Sequence, residues 1–192
     1  MKRNILILII AVFALTQAAA QTYDNLWKQA DIIARKDQPR SEIGVMKKII
    51  SKASAAKDYG QLLAAEMRQM ILWKEISADS LMPNVERMEA EVLKVKDPAV
   101  KAVRYAVLGK VYRDMNEKKS EEFFKKALEQ PELLAKHTST EYVPLTLKGV
   151  DGSSFNNDLL HLIGFEADSK EAYHLMYTYY NKVENRGAAC LC

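Results

Sequence analysis

Apolar residues recur along this chain at three- and four-residue steps for most of its length, the spacing that lines up one face of an α-helix. Tyr23, Leu26, Trp27, Ala30 and Ile33 predict a first helix over about 22–36, broken by Asp37-Gln38-Pro39. A second runs to about Lys57 and turns Ile43, Met46, Ile49, Ile50 and Ala53 inward. The third, around Gln61 to Ile76, is apolar over a wider arc of Leu62, Leu63, Met67, Met70, Ile71, Leu72 and Trp73. A helix that is apolar on more than one face is covered on more than one side, which predicts an interior position.

Ser80 or Asp79 is placed to cap a fourth helix marked by Leu81, Val85, Met88, Val92 and Val95. Asp97-Pro98 opens a fifth, expected to reach about Asn116, because a proline at the first helical position loses no hydrogen bond. A shorter sixth, roughly Ser120 to Gln130, presents Phe123, Phe124, Ala127 and Leu128 before Pro131. From Thr138 to Asn156 the helical period stops. Tyr142 to Leu147 alternates loosely and Asp151-Gly152 signals a turn, so a long loop or a short extended segment is expected there.

Asn156 or Asn157 then opens a helix through Leu159, Leu160 and Ile163 to Gly164. Another, near Ser169 to Val183, aligns Tyr173, Met176, Tyr177 and Tyr180; with Tyr179 these rings could line a peptide or glycan groove, but their helical spacing favours core packing. Ala188-Ala189-Cys190-Leu191-Cys192 has the look of a further first turn, too short to bury itself, and suggests a shortened gene product or a piece of a longer chain.

The first, third and fifth helices start near residues 22, 59 and 98, which are 37 and 39 residues apart. That interval suits stacked helical hairpins, whose periods run roughly from 34 to 47 residues. Within one pair, Tyr105, Leu108, Gly109 and Tyr112 reproduce the first-helix spacing of a tetratricopeptide repeat, with Ser120, Phe124 and Ala127 suiting its second helix. Gly109 would let those two helices approach closely, and the other pairs lack an equivalent glycine. The fold class expected is all-α: a right-handed array of antiparallel, tetratricopeptide-like helix pairs, about eight helices in all, with one irregular loop near 138–156.

The N-terminus is different in kind. Lys2 and Arg3, an apolar run from Ile5 to Leu15, and Ala18-Ala19-Ala20 before Gln21 are the three parts of a secretory signal peptide. The run is too short for a helix of about 20 residues spanning a bilayer. A signal over 1–20, cleaved after Ala20, and one helical domain over 21–192 follow, in a periplasmic or outer-surface location without stable membrane insertion. Charge then changes meaning. The whole chain carries 28 Lys and Arg against 25 Asp and Glu; without Lys2 and Arg3 the balance is 26 to 25, a net of +1 rather than +3. No strong field remains to draw nucleic acid or an anionic membrane. At 48% hydrophobic and 28% charged, with only 7 Gly and 5 Pro, the chain is neither disordered nor fibrous.

Chemistry-bearing motifs are few. The histidines, His137, His161 and His174, lack the H-x3-H or H-E-x-x-H spacing of a metal site, although His161, His174, Asp158 and Glu166 could converge in space. Cys190 and Cys192 are the only thiols, and a bridge between residues two apart would be strained. Without a C-x-x-C, a nucleophile elbow or a phosphate-binding glycine loop, no catalytic, cofactor-binding or metal residue is assigned, and no cofactor is expected. Lys118-Lys119, Glu121-Glu122 and Lys125-Lys126 are expected to form a solvated helix face.

Several short segments, taken in order, resemble the N-terminal helical region of the large exported alpha-2-macroglobulin-like proteins of Gram-negative bacteria. They are Tyr23-x-x-Leu26-Trp27-Lys28, Lys36-Asp37-x-Pro39, Tyr59-Gly60-Gln61-Leu62-Leu63, Ala106-Val107-Leu108-Gly109, Phe124 to Leu128, Phe155 to Leu160 and Asn185-Arg186-x-Ala188-Ala189-Cys190-Leu191. The resemblance covers nearly all of the mature chain. It implies a place ahead of macroglobulin domains in a protease-trapping inhibitor. Here Cys190-Leu191 is followed by Cys192, without the Cys-x-Glu-Gln of a thioester and without a bait region or macroglobulin domain. The expectation is an exported interaction module that is not itself an enzyme, with a protein or peptide partner in the cell envelope or with downstream macroglobulin domains in a longer form. Two alternatives stand beside it: a metal-dependent or other envelope enzyme with a site near His161 and His174, and a non-functional truncated remnant.

Overall fold

Short polar side chains that reach free backbone amides open most of the helices. In the computed structural model, which describes residues 23–146 and 149–192, a first helix (α1) covers 23–34. The signal expected over 1–20, its cleavage after Ala20 and the Leu147 end of the alternating run lie outside the described residues. The chain continues through α2 (Pro39–Ala56), α3 (Tyr59–Ile76), α4 (Leu81–Val92), α5 (Pro98–Tyr112), α6 (Glu117–Ala127), α7 (Pro131–Leu134), α8 (Leu159–Ala167), α9 (Lys170–Lys182) and α10 (Arg186–Leu191). Side chains of Asp58, Asp97, Asn116, Asp158, Ser169 and Asn185 accept hydrogen bonds from first-turn amides of α3, α5, α6, α8, α9 and α10. Pro39 and Pro131 start α2 and α7, where a missing N–H costs nothing.

The fold is all-α, with helix pairs packed side by side: α2 on α3, α5 on α6, and α9 between α8 and α10. No strand occurs among the described residues; the one pairing of that kind is an isolated bridge between Thr138 and Asp158. Ten α-helices are present among them rather than about eight, because α7 and α10 are short elements beyond the expected set. Where a loop or extended segment was expected, the chain makes 3-10 turns at Ser139–Tyr142 and Gly152–Phe155.

Several sequence expectations are corrected. Ser80 closes a 3-10 turn and makes no side-chain cap to α4; the contact there is Asn84 Nδ2 donating to the Ser80 carbonyl at 2.8 Å. Helix α5 stops at Tyr112 rather than Asn116, because the Asn116 side chain accepts from the Lys119 amide at 3.0 Å and opens α6. Asp158, not Asn156 or Asn157, caps α8. Both asparagines sit at left-handed φ, 56° and 54°, which short amide side chains tolerate. The last apolar turn does bury itself: Ala188 and Ala189 are buried and Asn185 Nδ2 donates to the Ser154 carbonyl at 2.9 Å, folding α10 back beside α9.

Three apolar clusters fill the interior. One gathers α1, α2 and α3 around Met46, Ile49 and Ala53. The second joins α3 to α4, α5 and α6 through Met70, Val85, Met88, Leu108 and Tyr112. The third and largest holds Leu134, Phe155, Leu159, Leu160, Met176 and Tyr180 from the C-terminal half. Helix α3 contributes to all three, with Leu62 and Leu72 in the first, Met70 in the second and Leu63 in the third. Its broad apolar arc therefore has the covering that the sequence calls for. The same helix also carries a buried ion pair into the centre, Glu66 Oε2 to Arg104 Nη1 of α5 at 3.1 Å.

Glycine decides how closely two of these pairs approach. A Cβ on Gly109 would lie 2.7 Å from Phe124 Cδ2, and the Ser120 hydroxyl donates to the Gly109 carbonyl at 2.7 Å, as the repeat-like spacing anticipates. The expectation that this pair is alone in using a glycine fails, since a Cβ on Gly164 of α8 would run into Met176 of α9. Among the described residues, no helix is long and apolar enough to cross a membrane.

Candidate functional site

The candidate residues do not converge. Asp158 and His161 lie on the first turn of α8 and are both buried, with relative exposures of 3% and 1%. Asp158 Oδ1 accepts from the His161 amide and from the Tyr180 hydroxyl, each at 2.8 Å; Oδ2 lies 3.0 Å from the same hydroxyl. The His161 ring stacks on Phe155, with centroids 4.1 Å apart and planes 2° from parallel, and meets Phe165 edge-on. Neither ring nitrogen has a hydrogen-bond partner among the described residues. Glu166 points elsewhere, to Lys110 Nζ at 3.1 Å and Arg113 Nη1 at 3.0 Å. His174 is exposed on α9, and His137 pairs with Glu141 at 2.8 Å beside the Thr138 capping box. Among the described residues, no group of three or more His, Cys, Asp or Glu could hold a metal ion.

Burial dominates the protonation chemistry of this cluster. It raises the Asp158 carboxyl to about 6 in spite of the hydrogen bonds donated to it, and it lowers His161. It also pushes the Tyr180 phenol well above its ordinary value, with the adjacent Asp158 charge adding to the effect. Asp158 thus serves as helix cap and as acceptor for a buried tyrosine, a structural hub at the α8–α9 junction. The tyrosines expected in the core divide: Tyr180 is buried, Tyr173 is half-buried with its hydroxyl on Asp168 at 2.9 Å, and Tyr177 is exposed. Cys190 is an exposed free thiol, and Cys192 Sγ donates to the Ala188 carbonyl at 3.3 Å. Lys118, Glu121, Glu122, Lys125 and Lys126 are exposed, while Lys119 turns to Glu89 at 3.0 Å.

The open recesses lie elsewhere. A cleft of about 390 Å³ runs over α3 between α2 and α4, with Lys47, Ile50, Gln69, Trp73, Asn84 and Arg87 on its walls. Another, about 250 Å³, lies where α5 and α6 meet α7, at Lys101, Tyr105, Lys126, Glu129 and Leu133. Sequence reading misses both. Gln69 and Trp73 are one turn apart on α3, as are Asn84 and Arg87 on α4, but nothing in linear order brings three helices to one cleft. Compared with known proteins, the chain matches no family model, no curated protein and no solved structure.

Proposed function

We propose that this chain is an exported, non-catalytic helical interaction module, related to the N-terminal region of the alpha-2-macroglobulin-like inhibitors that its segments resemble. The observation that carries the reading is the pair of open clefts between neighbouring helices, each lined by side chains from more than one helix. Arrays of packed helix pairs present such surfaces to peptides and to other proteins, with a stable scaffold holding the contact residues in place. The buried candidates support it from the other side. Asp158, His161 and Tyr180 are engaged in capping and packing the C-terminal helices, away from both clefts.

Export is tested by expressing the full sequence with a periplasmic reporter at its end. The mature N-terminus should begin at Gln21, and retention of residues 1–20 overturns the cleavage. The interaction reading is tested by immobilising the folded mature chain and capturing partners from cell-envelope extract under crosslinking. The same protein or peptide should return in repeated captures and should compete away with free mature chain. Failure to recover any competed species overturns the reading.

A further inference from the structure

The cleft over α3 has a definite chemistry. Its charged walls are all of one sign: Lys47 from α2 and Arg87 from α4, both exposed, and no carboxylate lines it. Neither cation forms an ion pair among the described residues; Arg87 makes only a 3.4 Å contact to the Asn84 amide oxygen. The acids near Arg87 are Glu66, buried and committed to Arg104 at 3.1 Å, and Glu91, one turn further along α4 and outside the cleft lining. The half-buried Trp73 and Ile50 line the same cleft and give it an apolar surface. Gln69 completes the set. It is 5% exposed and borders the cleft.

The Gln69 side-chain amide both donates and accepts hydrogen bonds. A peptide unit offers the matching acceptor and donor. A carboxylate satisfies paired cations, and an apolar side chain covers indole and isoleucine. The geometry points to a binding site for a short acidic peptide segment: a carboxylate held between Lys47 and Arg87, an adjacent apolar side chain on Trp73 and Ile50, and one backbone amide unit paired with Gln69. Its volume falls in the range of small-ligand sites, roughly 300–1,000 Å³. This assignment rests on the interaction-module reading and gives it a ligand class.

The carboxylate could be a side chain or a chain terminus, and the experiment separates them. Nitrogen-15-labelled mature chain is titrated by two-dimensional NMR, reading the indole N–H signals of Trp27 and Trp73, with W73F to assign them. Three probes are used: acetyl-Leu-Glu-Leu-amide, acetyl-Leu-Gln-Leu-amide, and acetyl-Leu-Gln-Leu with a free carboxyl end. The Trp73 signal should shift saturably with at least one anionic probe, at a dissociation constant on the order of 1 mM or tighter, and at least about tenfold tighter than with the neutral probe. The tighter of the two anionic probes identifies the source. The double variant K47Q/R87Q changes only exposed positions. It should keep the wild-type spectrum and Tm and lose the preference for charge, while Q69L should weaken all three probes.

The site is overturned if the Trp73 signal does not move with either anionic probe, if the neutral probe binds as well, or if K47Q/R87Q binds the anionic probes as tightly as wild type. Partner capture from envelope extract keeps the two proposals distinct. Equal capture by wild type and K47Q/R87Q leaves the interaction module standing and removes this site. Loss of capture in the double variant alone supports both.

Discussion

At the scale of single residues, Asp158 has the most to lose. Its carboxylate caps α8 and receives the Tyr180 hydroxyl while 3% exposed, so the folded protein holds its proton up to about pH 6 rather than 3.8. A group whose folded pKa is raised stabilises the fold fully below the unfolded value, and that stability is lost as pH rises through the folded one. Asn at this position stays neutral and keeps an acceptor for both donors. D158N should therefore have an equal or higher Tm than wild type above about pH 6, an advantage that vanishes below about pH 3.8. D158A loses the cap and leaves the Tyr180 hydroxyl buried without its partner, at a cost of about 1–3 kcal/mol in denaturant unfolding at pH 7. His161 runs the other way. Its pKa is lowered by burial, so its share of stability is present above pH 6.5 and declines as pH falls through the folded value. In wild type the two slopes oppose each other as pH falls below about 6; in D158N only the histidine's remains, and stability should fall more steeply on acidification.

At the scale of helices and their contacts, the glycines form a graded series. Gly44 lies mid-way along α2 with nothing within 4 Å of where a Cβ would stand, so G44A should gain about 0.5–1 kcal/mol from helix propensity alone. G109A must displace Phe124, and G164A must displace a fully buried Met176, each at about 1–3 kcal/mol. G60A should cost the most of the four, because its neighbours are the backbone of Tyr142 and Val143, which cannot rotate away. Urea unfolding of the four single variants gives the order directly, and a stable G60A would contradict it. The same helices show what linear order conveys. Periodicity placed α2, α3, α5 and α9 because each apolar stripe is local in sequence, and Asp97-Pro98 was readable because cap and proline act within one turn. The cap of α8 is misread because Asn156, Asn157 and Asp158 stand next to each other, and only the packed positions of Leu159 and Leu160 choose among them; Asn116 reads as the end of α5 because its role as cap of α6 depends on where the chain turns. Gly164 reads as a helix end rather than a close contact because its partner, Met176, is twelve residues on, in another helix. Gln69, Trp73 and Arg87 were silent for a similar reason: each reads as an ordinary helical residue until α2, α3 and α4 are set side by side.

At the scale of the whole molecule, the shared position of α3 sets how the fold opens. Ile49 of α2 is buried in the N-terminal cluster alone, whereas α3 supplies side chains to all three. Native-state hydrogen exchange should register the difference. I49A should lower protection in α1, α2 and the facing turns of α3, leaving α8 and α9 near their wild-type values. L63A and M70A together should lower protection from α2 to α9. Uniform loss in I49A, or loss confined to α3 in the double variant, would contradict a common helical spine.

That spine bears on attempts to divide the chain. A break between α4 and α5, in the turn at Leu93 to Asp97, would leave α3 with the front piece and strip the rear piece of the Leu63 and Met70 contacts. The front piece would in turn show water the side of α3 that normally meets α5, including the Glu66 carboxylate left without Arg104. Co-expressed, two such pieces should recover each other as a non-covalent pair, and the cut at that turn becomes a natural place to build a reporter whose assembly depends on both.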